Sequence, residues 1–192
     1  MGSLVLVEFV TLDGVMQGLG SPDEDRDGGF EYGGWSAPYM DEAQFRSSVD
    51  SMSSTTAYLL GRRTYEKMID FWPHQGDDNP MAKVLNAAPK YVATRTLTDL
   101  TWNATVLDGP LEAAVADLKA RHDGDIVVLG SWALVEQLIA AGLVDGYRLF
   151  LHPLVLGTGK RLFRPVPEPL RLTLVDVTPT STGVVMLNYA AA

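Results

Sequence analysis

Three short stretches of the chain carry residues suited to holding an anion. They read Gly61-Arg62-Arg63-Thr64, Thr94-Arg95-Thr96 and Gly130-Ser131-Trp132. Arginine offers paired N–H donors that match phosphate oxygens, and threonine or serine adds hydroxyl donors. A helix that begins at Ser131 presents unpaired backbone N–H groups and the positive end of its dipole. Gly130 removes the side chain that would keep a ligand away. A tight turn with a capping serine produces the same pattern, so the third stretch by itself fits either use.

The elements that must position these residues follow from hydrophobic spacing. A continuous apolar run over 126–129 reads as a strand buried on both faces. Leu134, Val135, Leu138 and Ile139 then recur at helical spacing, Gly142 stands where a helix would stop, and a second strand covers 147–152. This is one crossover unit of strand, glycine turn, helix and strand. Further strands are predicted over 4–10, 56–60, 91–94, 105–107, 170–177 and 184–189. Helices are predicted over 36–52, 62–70, 81–86 and 110–121. The segment 11–34 is a long loop rich in Gly and Asp, of a length usually reserved for functional or mobile segments. Strands that alternate with helices and end in a hairpin imply a mostly parallel α/β sheet with an antiparallel edge. In such a sheet the strand C-termini share one edge, so the three stretches converge there and together suit a polyphosphate ligand.

Composition narrows the chemistry. With 192 residues, one domain over 1–192 is expected. There is no cysteine, which removes disulfides, thiolate catalysis and cysteine-ligated zinc. His74, His122 and His152 are too dispersed for a metal-binding motif. The net charge of −9 opposes nucleic-acid and membrane partners, so an anionic ligand needs local cations such as Arg62, Arg63, Arg95, Lys160 and Arg161. The first residues lack a basic leader and their apolar run is too short to cross a membrane, so a cytoplasmic location is expected. Gly18-Leu19-Gly20 lacks the third glycine of a dinucleotide fingerprint. Gly159-Lys160 lacks the rest of a P-loop, and no G-x-S-x-G elbow occurs.

Taken in order, several pieces resemble the dihydrofolate reductase-like superfamily. The nearest likeness is to stand-alone relatives of the C-terminal reductase domain of bacterial riboflavin biosynthesis. The pieces are Thr11-Leu12-Asp13-Gly14, Leu60-Gly61-Arg62-Arg63-Thr64-Tyr65-Glu66, Ala93-Thr94-Arg95, and Gly142-Leu143-Val144-Asp145 leading to Pro153-Leu154-Val155-Leu156-Gly157-Thr158-Gly159-Lys160-Arg161-Leu162-Phe163. The resemblance implies a dihydrofolate reductase-like three-layer sandwich of the α/β class, with a mostly parallel central sheet and an antiparallel C-terminal hairpin. It implies NADPH as cofactor, a small-molecule substrate and a homodimer to which the segment 142–163 contributes. Arg62, Arg63 and Thr64 would meet the adenosine side, and Thr94 and Arg95 would flank the adenine and 2′-phosphate. Gly61 lies at the first of these turns. Gly130, Ser131, Trp132, Ala133 and Leu134 would seat the pyrophosphate. The stretch with Phe9, Met16 and Gln17 would lie against the nicotinamide.

The sequence departs from the family pattern in three places. Related sequences often carry Glu after the Leu-Val-Asp, and here that residue is Gly146. The second of the paired glycines at the pyrophosphate turn is Ser131 here, so a side chain would narrow the approach. In dihydrofolate reductase a Trp-x-x-Pro precedes a carboxylate two residues after the proline. Here Trp35-Ser36-Ala37-Pro38 leads to Met40, and the acid follows one residue later as Asp41. One residue turns a helix by about 100°. Asp41 and, in the loop at the nicotinamide end, Asp13 are the candidate proton donors. A helix-N-terminal acid favoured by the dipole is the competing role for Asp41. Trp35, Tyr39, Phe45 and Trp72 are candidates to stack a flat heterocycle, or else pack the core. His152 ends an apolar strand and reads as a satisfied structural histidine. The expected activity is NADPH-dependent reduction of a small flat pterin- or pyrimidine-like heterocycle, or of a related carbonyl compound. The alternatives are a non-catalytic NADP(H)-binding or regulatory module and a stand-alone 5-amino-6-(5-phosphoribosylamino)uracil reductase.

Overall fold

Strand β1 (Ser3–Thr11) is strongly apolar, and Leu4, Val5, Leu6 and Val10 on it are all buried. A computed structural model describes residues 1–76, 78–165 and 168–192. They form two compact units, Met1–Leu6 with Ser47–Asp145 and Val7–Arg46 with Gly146–Ala192. β1 runs through both.

In the first unit the strand order is β4-β3-β2-β5-β1, all parallel, with β2 (Thr55–Gly61), β3 (Lys90–Ala93), β4 (Ala104–Val106) and β5 (Asp125–Val128). Helices α2 (Arg62–Ile69), α3 (Pro80–Ala87), α4 (Leu111–Arg121) and α5 (Trp132–Ala140) follow the strands. Leu59, Leu60, Val92, Ile126 and Val128 are fully buried. Strands this apolar need cover on both faces, and α4 supplies Val115 and Leu118 while α5 supplies Leu134, Val135 and Leu138. Pro110, expected inside the first turn of α4, is its N-cap in an extended conformation.

In the second unit the order is β1-β6-β8-β7, with β6 (Gly146–His152), β7 (Leu172–Pro179) and β8 (Val185–Ala191). β8 pairs antiparallel with both neighbours, as the C-terminal hairpin pattern predicts. The helix predicted over 36–52 is broken. A 3₁₀ turn covers Ala37–Tyr39, Met40 is extended, and α1 (Glu42–Ser51) starts afresh. Asp41 resets the helix, because its Oδ1 accepts the N–H of Gln44 at 2.6 Å.

The long loop after β1 is tied down at several points. Leu12 N–H donates to Leu154 O, Met16 N–H to Lys160 O, and Leu162 N–H to Gly14 O, all within 2.9 Å. Gly159 allows this closeness: a Cβ there would stand 2.7 Å from Val15 and 2.8 Å from the Phe30 ring. Lys160 Nζ then bridges Asp25 at 2.6 Å and Asp27 at 2.9 Å.

One residue on β1 breaks its apolar pattern. Glu8 is 3% exposed and its Oε1 has no hydrogen-bond partner among the described residues. Burial, and behind it the Glu24 carboxylate, pushes its pKa from 4.5 to about 8. The folded chain therefore holds a proton that the unfolded chain releases. Its stabilising share is full below about pH 4.5 and is lost as pH rises through about 8. The span corresponds to roughly 4 to 5 kcal/mol. Denaturant titrations near pH 5 and above pH 8 should show the wild type losing several kcal/mol relative to Glu8→Gln. Equal pH dependence in both proteins would mean that the carboxyl is solvated in the fold.

Candidate functional site

In the first unit the three anion-competent stretches leave the sheet at one level. Parallel pairing sets Gly61 beside Ala93, so Arg62 and Thr94 are the next residues off adjacent strands. β5 runs beside β2 on the other side, and Gly61 N–H donates to Gly130 O at 3.0 Å. A Cβ on Gly61 would stand 2.3 Å from Ser131 Oγ and 2.8 Å from Ser131 N. Only glycine fits there.

Gly61 is also the N-cap of α2 and has no side chain with which to cap it. Ser131 does this from the neighbouring strand end. Its Oγ accepts the N–H of Thr64 at 3.3 Å and meets Thr64 Oγ1 at 3.2 Å. The peptide between Gly130 and Ser131 is cis. Ser131 O accepts from Leu134 and Val135, opening α5, but its side chain does not cap its own helix. The hydroxyl expected to narrow the approach to α5 is thus turned to α2. Two helix starts meet at this point, and Arg62 and Arg63 on the first turn of α2 are exposed.

Arg62 pairs with Glu66 on the same helix at 3.0 and 3.2 Å. Such an exposed pair is worth about 0.3–0.5 kcal/mol, less than a charge-assisted bond to phosphate. Thr94 Oγ1 accepts from Thr96 N and Leu97 N, each at 3.2 Å, so its hydroxyl shapes the turn that presents Arg95. Arg95 is exposed and makes no ion pair among the described residues. Along α5, Trp132 is half-buried, Ala133 exposed and Leu134 buried. Trp72 lies in this unit too, half-buried and edge-on to Phe71 with ring centres 5.2 Å apart.

The second unit holds the remaining candidates. Phe9 stacks on Phe150 at 4.4 Å, and Trp35 and Tyr39 stand edge-on to His152 at 5.0 and 5.5 Å. Trp35 is 7% exposed and donates Nε1–H to Gln17 O at 2.7 Å. It is a wall of this cluster more than an open stacking platform. Phe45 on α1 is half-buried. Both ends of the Gln17 amide are used: Nε2 donates to Asp25 O and Asp27 O, and Oε1 accepts from Lys160 N. The Gln17 side chain therefore fastens the loop, and Met16 beside it is buried.

The two candidate acids are held as acceptors. Asp13 takes Thr11 Oγ1–H at 2.6 Å, Leu156 N–H at 3.2 Å and Gly157 N–H at 2.8 Å, and pairs with Arg161 at 3.6 Å. Burial alone would raise its pKa, but the hydrogen bonds from Thr11, Gly157 and Leu156 outweigh it and hold the carboxyl below its ordinary range. Asp41 receives Ser181 Oγ–H at 2.6 Å and Ser181 N–H at 3.0 Å on Oδ2, opposite its cap to Gln44. The Ser181 hydroxyl and the Gln44 N–H lower its pKa. Neither acid carries a proton near neutral pH. Sequence reasoning missed the Ser131–Thr64 link and the proton-bearing Glu8. The second had a signal, a lone carboxylate in the run Leu4 to Val10.

Comparison with known proteins bears on the family and the fold. The uncharacterized protein YyaP of Bacillus subtilis (strain 168) is 29% identical over 191 residues, covering 97% of this chain and 93% of that protein. A protein of Shewanella sp. PV-4 ascribed to riboflavin biosynthesis superposes with a TM-score of 0.70 at 16% identity, covering 99% of both chains. A pyrimidine reductase-like protein of Corynebacterium diphtheriae gives 0.63 at 14% identity over 99% of this chain and 92% of the other. The dihydrofolate reductase of Enterococcus faecalis, in complex with NADP(H) and RAB-propyl, gives 0.61 at 13% identity over 98% and 96%. At these identities the structural likeness is one of fold, which is dihydrofolate reductase-like. The model of the RibD C-terminal domain matches residues 3–186, and the chain is a member of that family.

Proposed function

We propose that this chain is an NADPH-dependent reductase of a small flat heterocycle, pterin- or pyrimidine-like, or of a related carbonyl compound. The observation that carries the reading is the meeting of two helix starts at Gly61 and Ser131, with arginines on the adjoining turns. The close approach brings the starts of α2 and α5 together, and helix starts favour phosphate oxygens. When bound, the cofactor supplies the hydride from its nicotinamide ring. Gly130, Ser131, Trp132, Ala133 and Leu134 hold the pyrophosphate in this reading, with Gly61 as the floor. Arg62, Arg63 and Thr64 meet the adenosine side, including the 2′-phosphate and pyrophosphate, and Thr94 and Arg95 flank the adenine and the 2′-phosphate. In the second unit Phe9 faces the nicotinamide, supported by Met16 and Gln17.

Asp13 and Asp41 act in this scheme by position. Asp13 fixes the turn at Leu156 and Gly157 to β1, and Asp41 fixes the start of α1 to the hairpin at Ser181. Their saturation by donors also favours a second reading, a module that binds the dinucleotide without turnover. The chain is also proposed to form a homodimer. Leu174, Val175 and Val177 on the edge strand β7 are 51, 68 and 49% exposed, an edge that soluble proteins usually cover.

Calorimetric titration should give micromolar binding of NADPH and clearly weaker binding of NADH. Arg62→Ala and Arg95→Ala should each weaken NADPH about tenfold and leave NADH nearly unchanged. Failure of both nucleotides to bind removes the reductase reading, and equal losses for both remove the 2′-phosphate assignment. NADPH oxidation should then be followed against a panel of pterins, pyrimidines (5-amino-6-(5-phosphoribosylamino)uracil among them) and carbonyl compounds. Binding without oxidation of any member favours the non-catalytic module.

Asp13→Asn and Asp41→Asn should each lower Tm by a few degrees while leaving the pH profile of kcat in place. A displaced profile in either variant would make that residue the proton donor. Sedimentation should give a dimer that Val175→Glu converts to monomer; a wild-type monomer at micromolar concentration contradicts the dimer.

A further inference from the structure

His152 closes strand β6 and is fully buried. Its Nδ1 lies 2.9 Å from Phe150 O. A carbonyl oxygen only accepts, so Nδ1 carries the ring hydrogen. Burial lowers the imidazole pKa, against the pull of the Phe150 and Val10 carbonyls, and keeps the ring neutral. A neutral imidazole with its hydrogen on Nδ1 has a lone pair on Nε2. That atom is buried and has no hydrogen-bond partner among the described residues.

Three aromatic rings stand around the imidazole. Trp35 and Tyr39 stand edge-on at 5.0 and 5.5 Å with interplanar angles of 88° and 84°, and Phe9 is tilted at 6.0 Å. The nearby N–H donor, Trp35 Nε1, is committed to Gln17 O at 2.7 Å. A buried acceptor left unmade costs about 1–3 kcal/mol. Aromatic walls do not repay this, because they offer no N–H to the lone pair. Phe9 and Tyr39 are half-buried while Trp35 and His152 are enclosed, so the cluster meets solvent at Phe9 and Tyr39.

We propose that His152 Nε2 is the specificity-determining acceptor of a ring-binding site walled by Phe9, Trp35 and Tyr39. The site takes a flat aromatic ring bearing an N–H donor, such as an amino-substituted pyrimidine. The flat walls select the ring, and the lone pair selects the donor. A ring that lacks the donor leaves the acceptor unpaired and is discriminated against. That this ring is the substrate rests on the reductase reading; the site itself does not.

The test uses the whole chain labelled with ¹⁵N in histidine, where the ring nitrogens of three histidines report separately. His152→Leu assigns the His152 signals. The expected result is hydrogen on Nδ1 and a bare Nε2 in the free protein. Titration with 2-aminopyrimidine should move the Nε2 signal upfield, and this ring should bind about tenfold more tightly than unsubstituted pyrimidine. In His152→Leu the preference should vanish while pyrimidine binds as before.

Hydrogen on Nε2, an unmoved signal at saturation, equal affinity for the two rings or failure of both to bind overturns the proposal. The first two readouts need only the wild-type protein, so an unstable variant leaves the test intact. NADPH is titrated into the same samples. Binding of NADPH with no ring-dependent shift removes the His152 site alone. A shift without NADPH binding supports the site and removes the reductase reading.

Discussion

The close approach of Gly61 and Ser131 is the constraint on which the proposed phosphate site depends. A strand end, a helix start and the turn from a second strand meet with no room for a Cβ. The geometry then propagates through hydrogen bonds. Gly61 N–H fixes Gly130, Ser131 Oγ fixes Thr64, and Ser131 O opens α5. Each of the two helices thus begins from a point set by the other. Capping by a neighbouring element satisfies an orphan N–H as well as a helix's own cap does, and it couples the two starts rigidly. Ser131 in place of a second glycine accordingly serves as a strut. Its side chain occupies space over Gly61 and leaves the start of α5 uncapped by it.

The second unit is organised by carboxylates used as fasteners. Asp13, Asp25, Asp27 and Asp41 all accept hydrogen bonds or ion pairs that tie one loop to another. This accounts for part of an acidic composition that otherwise only disfavours polyanions. Lys160 is 20% exposed at its side chain, and its two carboxylate contacts are shielded more than surface pairs usually are. Together with the Gln17 amide it holds the long loop after β1 against the segment that follows β6. That loop has its own architecture, with Trp35, Phe30 and Val15 as a buried cluster.

Much of this was legible in the sequence, and the limits of legibility have physical causes. Continuous apolar runs such as Ala57 to Leu60 identify parallel strands because burial on both faces leaves no other pattern. The meeting of the three junctions was readable because parallel strands bring their C-termini to one edge. The break after Tyr39 was not readable, since Asp41 restarts α1 through a single side-chain bond. Long-range polar links were out of reach for the same reason: nothing local in the sequence ties Asp13 to Gly157 or Asp41 to Ser181. Lys90 is the extreme instance. It is 1% exposed, donates to Ala88 O at 2.7 Å and lies 4.1 Å from the Trp102 ring centre, contacts that no local pattern in the sequence announces.

The titratable groups of the second unit fall into two sets with opposite logic. Asp13 and Asp41 are surrounded by donors, so their charged forms are stabilised and their work is mechanical. Glu8 and His152 are buried away from water, so their neutral forms are stabilised. A group kept neutral by burial retains unsatisfied hydrogen-bonding capacity, and both Glu8 Oε1 and His152 Nε2 show it. Folding alone does not favour that state, because replacing either group by an apolar one of similar shape removes the desolvation cost. Unmet polar capacity in a low-dielectric setting does have value toward a ligand, where each bond formed is stronger than at the surface. The neutral set, which composition and motif matching pass over, is therefore where ligand recognition in this unit is to be sought.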